Sequence, residues 1–274
     1  MKITSNPHTH TPFCDGKNTA EEMVLAAIKA GFTSLGFSGH SPTPFDPGDF
    51  TGVVDIPGYI REIERLKDVY RGKLDIHLGM EIDYFSQVDR ENFDYIIGAV
   101  HYIKDEAREV YYTVDNTAEE LEACIEEAFG GDALAMVQRY YDLVVEMARQ
   151  YRPHILGHFD LVRKLNAGDC FFDEDSPEYR DIALAALEKA AHTGCIFEIN
   201  SGGIYRGYTR DPYPADFLLK RLAELEVPII ISSDAHDDNS LDFYFDEILS
   251  SLPSLGFKEI TLLGKNGFYK KSLA

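Results

Sequence analysis

Short apolar runs of β type alternate with amphipathic stretches along this chain. Seven runs read as strands: Lys2–Ser5, Thr33–Ser38, Leu74–Met80, Tyr95–Val100, His154–Leu156, Ile196–Ile199 and Pro228–Ser232. An eighth, Glu259–Leu263, is placed either to close a barrel or to pack on its edge. Strands spaced by helix-length segments predict parallel βαβ units and not a sandwich. Thr19-Ala-Glu-Glu22 is a capping box for a helix over Ala20–Ala30, with Gly31 to stop it, and Thr117-Ala-Glu-Glu120 opens another. Pro177 and Pro214 are expected in first helical turns, where a missing N–H does no harm. Ile60, Ile63, Leu66 and Val69 form one apolar helical stripe, and Phe217, Leu218, Leu222 and Leu225 another, both expected to be core. Two excursions interrupt the alternation, Pro42–Pro57 and Lys104–Gly131, the second leading into a helix over Asp132–Tyr151. Such excursions either border a substrate site or decorate the surface.

Length and composition narrow the class. A chain of 274 residues, 45 % hydrophobic and free of low-complexity tracts, predicts one globular domain over residues 1–274. No run has the length to cross a bilayer, and the N-terminus lacks the apolar core of a signal peptide. The four cysteines have no CxxC spacing, which predicts free thiols in a reducing, cytoplasmic setting. A net charge of −21 argues against a nucleic-acid partner, because such affinity comes largely from Lys and Arg neutralising phosphates. Carboxylates that held divalent cations would offset part of that charge.

The chemistry lies where the apolar runs end. His8 and His10 alternate as strand residues do, so their imidazoles share a face, and Asp15 follows at the turn marked by Gly16. One His-x-His is weak evidence alone, but the same edge recurs. Ser38-Gly-His40 follows the second run, Gly79-Met-Glu81 the third, His101 the fourth, Gly157-His158-Phe-Asp160 the fifth and Asp234-Ala-His236 the seventh. In parallel βα architectures, loops converge at the carboxyl ends of strands, so six of the nine histidines and three carboxylates are expected in one cavity. His77, His154 and His192 fall outside the pattern and are expected to be structural. Nine N/O ligands exceed the roughly four that one zinc takes and suit two or three ions. A set without cysteine favours zinc, iron or manganese at water-bearing positions.

These residues resemble, in order, the motifs of the PHP (polymerase and histidinol phosphatase) superfamily. The resemblance is strongest to its monofunctional histidinol-phosphate phosphatases. It implies a distorted (β/α)7 barrel, TIM-like, with a trinuclear centre of divalent ions (Zn, Fe or Mn) at the C-terminal ends of the strands. By motif, His8, His10, Glu81 and Asp234 would hold one ion, Glu81, His101 and His158 a second, and Asp15, His40 and His236 a third. The implied activity is hydrolysis of L-histidinol phosphate to L-histidinol and phosphate, by attack of a metal-bridging hydroxide. Another small phosphomonoester or a nucleotide is the alternative substrate.

Phosphate recognition needs cations, and Arg163 and Arg206 are expected on loops at the same end. Leaving-group protonation falls to Asp234 or His236 as catalytic candidates. Glu198 and Asn200 are expected to contact either a substrate amine or a ligand histidine. Cys14 is a rival nucleophile without a partner base. Two further rivals are a non-catalytic metal-binding module and a single-zinc amidohydrolase-type barrel, against which the pairing of Glu81 with His101 counts.

Overall fold

The structure, a computed structural model, describes residues 1–46, 48 and 51–274; Pro47, Asp49 and Phe50 of the first excursion lie outside the described residues. Strand β1 (Ser5–Asn6) pairs in parallel with β2 (Ser34–Phe37), β2 with β3 (Asp75–Asp83), and β3 with β4 (Tyr95–Ala99). An antiparallel hairpin of β5 (Tyr102–Asp105) and β6 (Val110–Thr113) then leaves the array. The parallel order resumes through β7 (Ile155–Leu156), β8 (Ile196–Asn200) and β9 (Ile229–Ser232). All seven expected strands are present, side by side in sequence order. The first is shorter than expected, because only Ser5 and Asn6 reach ladder register with β2.

Strand β10 (Glu259–Gly264) does not pair with β1. It joins β9 in parallel at one register point, Thr261 against Ile230, and turns back as the antiparallel β11 (Gly267–Ser272), which the apolar pattern did not reveal. The ladder among the described residues is therefore an open nine-stranded sheet. One isolated parallel bridge, Thr9 with Ala235, links the segments that follow β1 and β9: His10 N–H donates to the Ala235 carbonyl at 2.8 Å and Ala235 N–H to that of His8 at 3.0 Å. The link lies beyond the carboxyl ends of β1 and β9, where the polar residues gather.

Helix α1 (Ala20–Ala30) carries the expected capping box and stops at Gly31, whose φ of 82° suits glycine. It is followed by α2 (Ile56–Val69), α3 (Ala118–Phe129), α4 (Ala133–Glu146), α5 (Pro177–Ala191), α6 (Gly202–Tyr205), α7 (Asp216–Glu224) and α8 (Phe245–Leu255). Among the described residues no helix is long and apolar enough to cross a membrane. Three expectations are corrected. Pro214 precedes the N-cap Ala215 in a cis peptide and so lies outside α7. Helix α4 ends at Glu146 and continues to Tyr151 only as a wider π-type turn. Val69, in the last turn of α2, is exposed, whereas Ile63 and Leu66 are buried. The excursion 104–131 carries structure of its own, part of the β5–β6 hairpin and all of α3.

Inward-facing residues alternate along each strand, and their character changes from one end to the other. Tyr95, Ile97, Ile155 and Ile230 form a small inner cluster apart from the main core, with Ile196 against it. One or two pleats further along the same faces stand Glu81, Glu198, Ser232 and Asp234. Tyr95 plugs the array: its hydroxyl donates to the carbonyls of Pro7 and Phe37. Its ring occupies the space that a side chain on Gly79 would need. The Gly79→Ala variant should therefore be overpacked and less stable by about 1–3 kcal/mol. Equilibrium urea unfolding should show a lower midpoint with an unchanged slope.

Candidate metal centre

The nine expected ligands lie together at the carboxyl ends of the strands: seven line a cleft, and His8 and His10 are buried behind it. His8 and His10 leave β1 with both rings fully buried. Glu81 sits within β3 and is 1 % exposed. Asp234 follows β9 with a φ of 50°, a left-handed conformation that aspartate tolerates better than most residues and that is common at functional sites.

Four buried atoms define the centre. His8 Nε2, His10 Nε2, Glu81 Oε2 and Asp234 Oδ1 have no hydrogen-bond partner. Yet His8 Nε2 lies 3.2 Å from Glu81 Oε2 and 3.5 Å from Asp234 Oδ1, and His10 Nε2 lies 3.6 and 3.0 Å from the same two atoms. A tetrahedral cation with bonds of about 2.0–2.1 Å separates its ligands by roughly 3.3–3.4 Å. Orphaned polar atoms at that spacing fit a divalent ion, and a dry core would not tolerate them otherwise. Around them, Glu81 Oε1 meets His158 Nε2 at 2.8 Å and His101 Nε2 at 3.5 Å. Asp15 faces His236 at 3.1 Å, His10 at 3.6 Å and His40 at 3.7 Å. Three groups thus have metal-holding geometry: His8 with His10 and Glu81; His40 with Glu81 and His101; and His10 with Asp15, His40 and His236. His10 and His40 each serve two of them, a sharing that the motifs did not foretell.

The electrostatics suit cations. Burial would raise the Glu81 and Asp234 carboxyls, but neighbouring imidazoles, and Arg206 beside Asp234, hold both well below the usual range. Asp15 is likewise held down against burial by His40, His236 and His10. Burial, aided by His236 and His40, pushes the His10 imidazole down to about 3, so it stays neutral and able to bind a metal. Burial and Asp15 push the Cys14 thiol up to about 11; its Sγ donates to the Thr11 carbonyl at 3.2 Å, and it is a poor nucleophile. All four cysteines are unpaired. The acid role expected of Asp234 or His236 competes with holding an ion. Asp234 is kept ionised, and His236 spends its Nδ1 on the Asp234 carbonyl at 2.9 Å.

Residues 6–202 match the PHP domain. The chain belongs to the PHP domain family. A Deinococcus radiodurans protein named "Probable histidinol-phosphatase" is 31 % identical over 265 residues, which span 93 % of this chain and 94 % of that one. The histidinol-phosphatase of Bacillus subtilis is 28 % identical over 267 residues, 88 % of this chain and 97 % of that one. Among solved structures, histidinol phosphate phosphatase from Lactococcus lactis, complexed with zinc, L-histidinol and phosphate, matches with a TM-score of 0.73. The two share 22 % identity over 97 % of this chain and 99 % of that one. The likeness shows a shared fold.

In this PHP chain the centre opens into a cavity of about 560 Å³. Both excursions border it: Thr43, Asp46 and Thr51 from the first, Thr113, Asp115 and Glu120 from the second. Arg206 lines the wall as expected. Its Nη2 donates to Asp234 Oδ2 at 2.8 Å, and the bare Gly202 leaves room for the guanidinium to fold back. Arg163 does not line the cavity. It is buried, with Nη1 on Asp160 at 3.0 Å, Nε on Glu174 at 2.6 Å and Nη2 on both oxygens of Asp211 at 3.0 and 3.2 Å. Three carboxylates already occupy the guanidinium. Its neighbour Lys164 lines the cavity instead, 2.9 Å from Asp115 and over the Tyr208 ring at 5.1 Å.

Asp83 was also missed. It accepts the His101 backbone N–H at 2.8 Å and faces that ring at 3.5 Å. Its place two residues beyond Glu81 on the same strand was the available signal. His154 is structural as expected, its Nδ1 accepting from Ile96 N–H at 3.1 Å. The Arg163→Met variant should lose about 3–5 kcal/mol of stability by urea unfolding, because Asp160 is left as an uncompensated buried charge. Bound zinc and KM per folded molecule should stay unchanged. A raised KM at unchanged stability would return Arg163 to phosphate binding.

Proposed function

We propose that this chain is a metal-dependent phosphomonoesterase that hydrolyses L-histidinol phosphate to L-histidinol and phosphate. The observation that carries the reading is the set of four buried, unpartnered ligand atoms at the spacing of a tetrahedral ion. Relatives named for this activity over nearly the whole chain support it, as do zinc, L-histidinol and phosphate in the Lactococcus lactis protein. Within it, residues 1–274 act as one domain in the cytoplasm. His8, His10, Glu81 and Asp234 hold one ion, Glu81, His101 and His158 a second, and Asp15, His40 and His236 a third. Zinc is the favoured metal, with iron or manganese as alternatives.

When bound, such ions polarise the phosphoryl oxygens and lower the pKa of water from about 15.7 towards 7. The chain's own residues do the rest. Glu81, shared between two groups, fixes their spacing. Arg206, anchored on Asp234 at 2.8 Å, and Lys164 supply the cationic contacts to phosphate. Asp46, Asp115 and Glu120 make the cavity wall acidic, which suits a leaving group bearing an amine and an imidazole and disfavours sugar phosphates and nucleotides. No protein nucleophile is required.

The test is phosphate release from L-histidinol phosphate, a sugar phosphate and a nucleoside monophosphate, with metal content measured on the same preparation. The expected preference for histidinol phosphate is roughly 100-fold or more in kcat/KM. Equal turnover of all three would leave only a general phosphomonoesterase. The Asp115→Asn variant should raise KM for histidinol phosphate about tenfold, some 1.4 kcal/mol of lost contact. The rise in KM for p-nitrophenyl phosphate should be smaller, because that ester lacks the amine and feels the change only through Lys164, 2.9 Å from Asp115.

A further inference from the structure

Glu198, on β8, is a fully buried carboxylate outside the nine ligands. Its Oε1 accepts His8 Nδ1–H at 2.6 Å and the Ser232 hydroxyl at 2.5 Å. Its Oε2 accepts the backbone N–H of His158 at 2.8 Å and the Asn200 amide at 3.0 Å. Four donors, from the segments after β1 and β7 and from β8 and β9, thus close on two oxygens. Only an ionised carboxylate accepts all four.

Building on the metal-dependent reading above, we infer that Glu198 is the positioning residue that couples two of the three metal positions. By taking the Nδ1 proton it fixes the His8 tautomer, so that Nε2 is bare and faces Glu81 and Asp234. By holding the His158 backbone it sets that ring against Glu81 Oε1. The Asp15, His40 and His236 group receives no hydrogen bond from Glu198. An amide of the same shape cannot replace it. With its oxygen towards His8 and Ser232, its NH2 meets the donors of His158 and Asn200. Turned over, its NH2 forces His8 to accept at Nδ1 and carry a proton at Nε2, where the ion would bind.

The test is the Glu198→Gln variant of the full chain, with zinc titrated into metal-free protein against a chelator and bound zinc counted. Two zinc equivalents should weaken about 10- to 100-fold while the third keeps its wild-type affinity. In zinc-loaded wild type, the short His8–Glu198 bond should give a far-downfield imidazole N–H proton resonance, absent from the variant. A merely structural role would instead weaken all three equivalents alike and lower the melting temperature of the metal-free variant, and that result overturns the inference. So does unchanged zinc binding. Wild type that binds zinc but leaves histidinol phosphate intact would sink the phosphatase reading while leaving Glu198 to be judged on its metal data.

Discussion

Five imidazoles converge on the carboxylate of Glu81: His40 and His158 at 2.8 Å, His8 at 3.2 Å, His101 at 3.5 Å and His10 at 3.6 Å. Burying a lone carboxylate this deeply costs several kcal/mol. The rings come from the ends of β1, β2, β4 and β7, so the position of one side chain on β3 ties those ends to a common centre. Divalent ions would satisfy the same constraint more fully than imidazoles alone, because they would use the buried atoms left without a hydrogen-bond partner.

Much of this arrangement is legible in the chain because a strand has a period of two. Each inward face runs from apolar to polar, as from Ile230 through Ser232 to Asp234, so a polar residue just past an apolar run marks the cavity end. That rule picked out His40, Glu81, His101, His158, Asp234 and His236 and set aside His77, His154 and His192, while His8, His10 and Asp15 were read from the His-x-His alternation and the turn at Gly16. It fails where the backbone stops being a strand. Residues 161–163 form a 3₁₀ turn after β7, in which successive side chains diverge. There Lys164 faces the cavity and Arg163 the protein interior, a difference that spacing from His158 does not encode. Asp115 follows a hairpin whose two strands, Tyr102–Asp105 and Val110–Thr113, are only four residues each and flank a charged turn, too short to announce themselves as apolar runs. Strand β11 escaped because it is largely exposed along its length.

Two networks of buried charge, around Arg163 and around Glu198, share one logic. Arg163 gathers Asp160, Glu174 and Asp211, and Asp160 also accepts the Ala215 N–H at 2.9 Å. This knot ties the segment after β7 to the one before α7. Glu198 does the complementary work with a negative group, gathering donors from four segments. One network holds the loops in place, and the other holds the imidazoles that those loops surround.

The bridge between Thr9 and Ala235 joins residues more than 220 positions apart, and it lies at the metal-binding end. On a ribosome, His8 and His10 emerge early, yet their partners Asp234 and His236 are among the last tenth or so of the parallel array to be made. The group of His10, Asp15, His40 and His236 is therefore complete only once β9 and the residues just after it have been made.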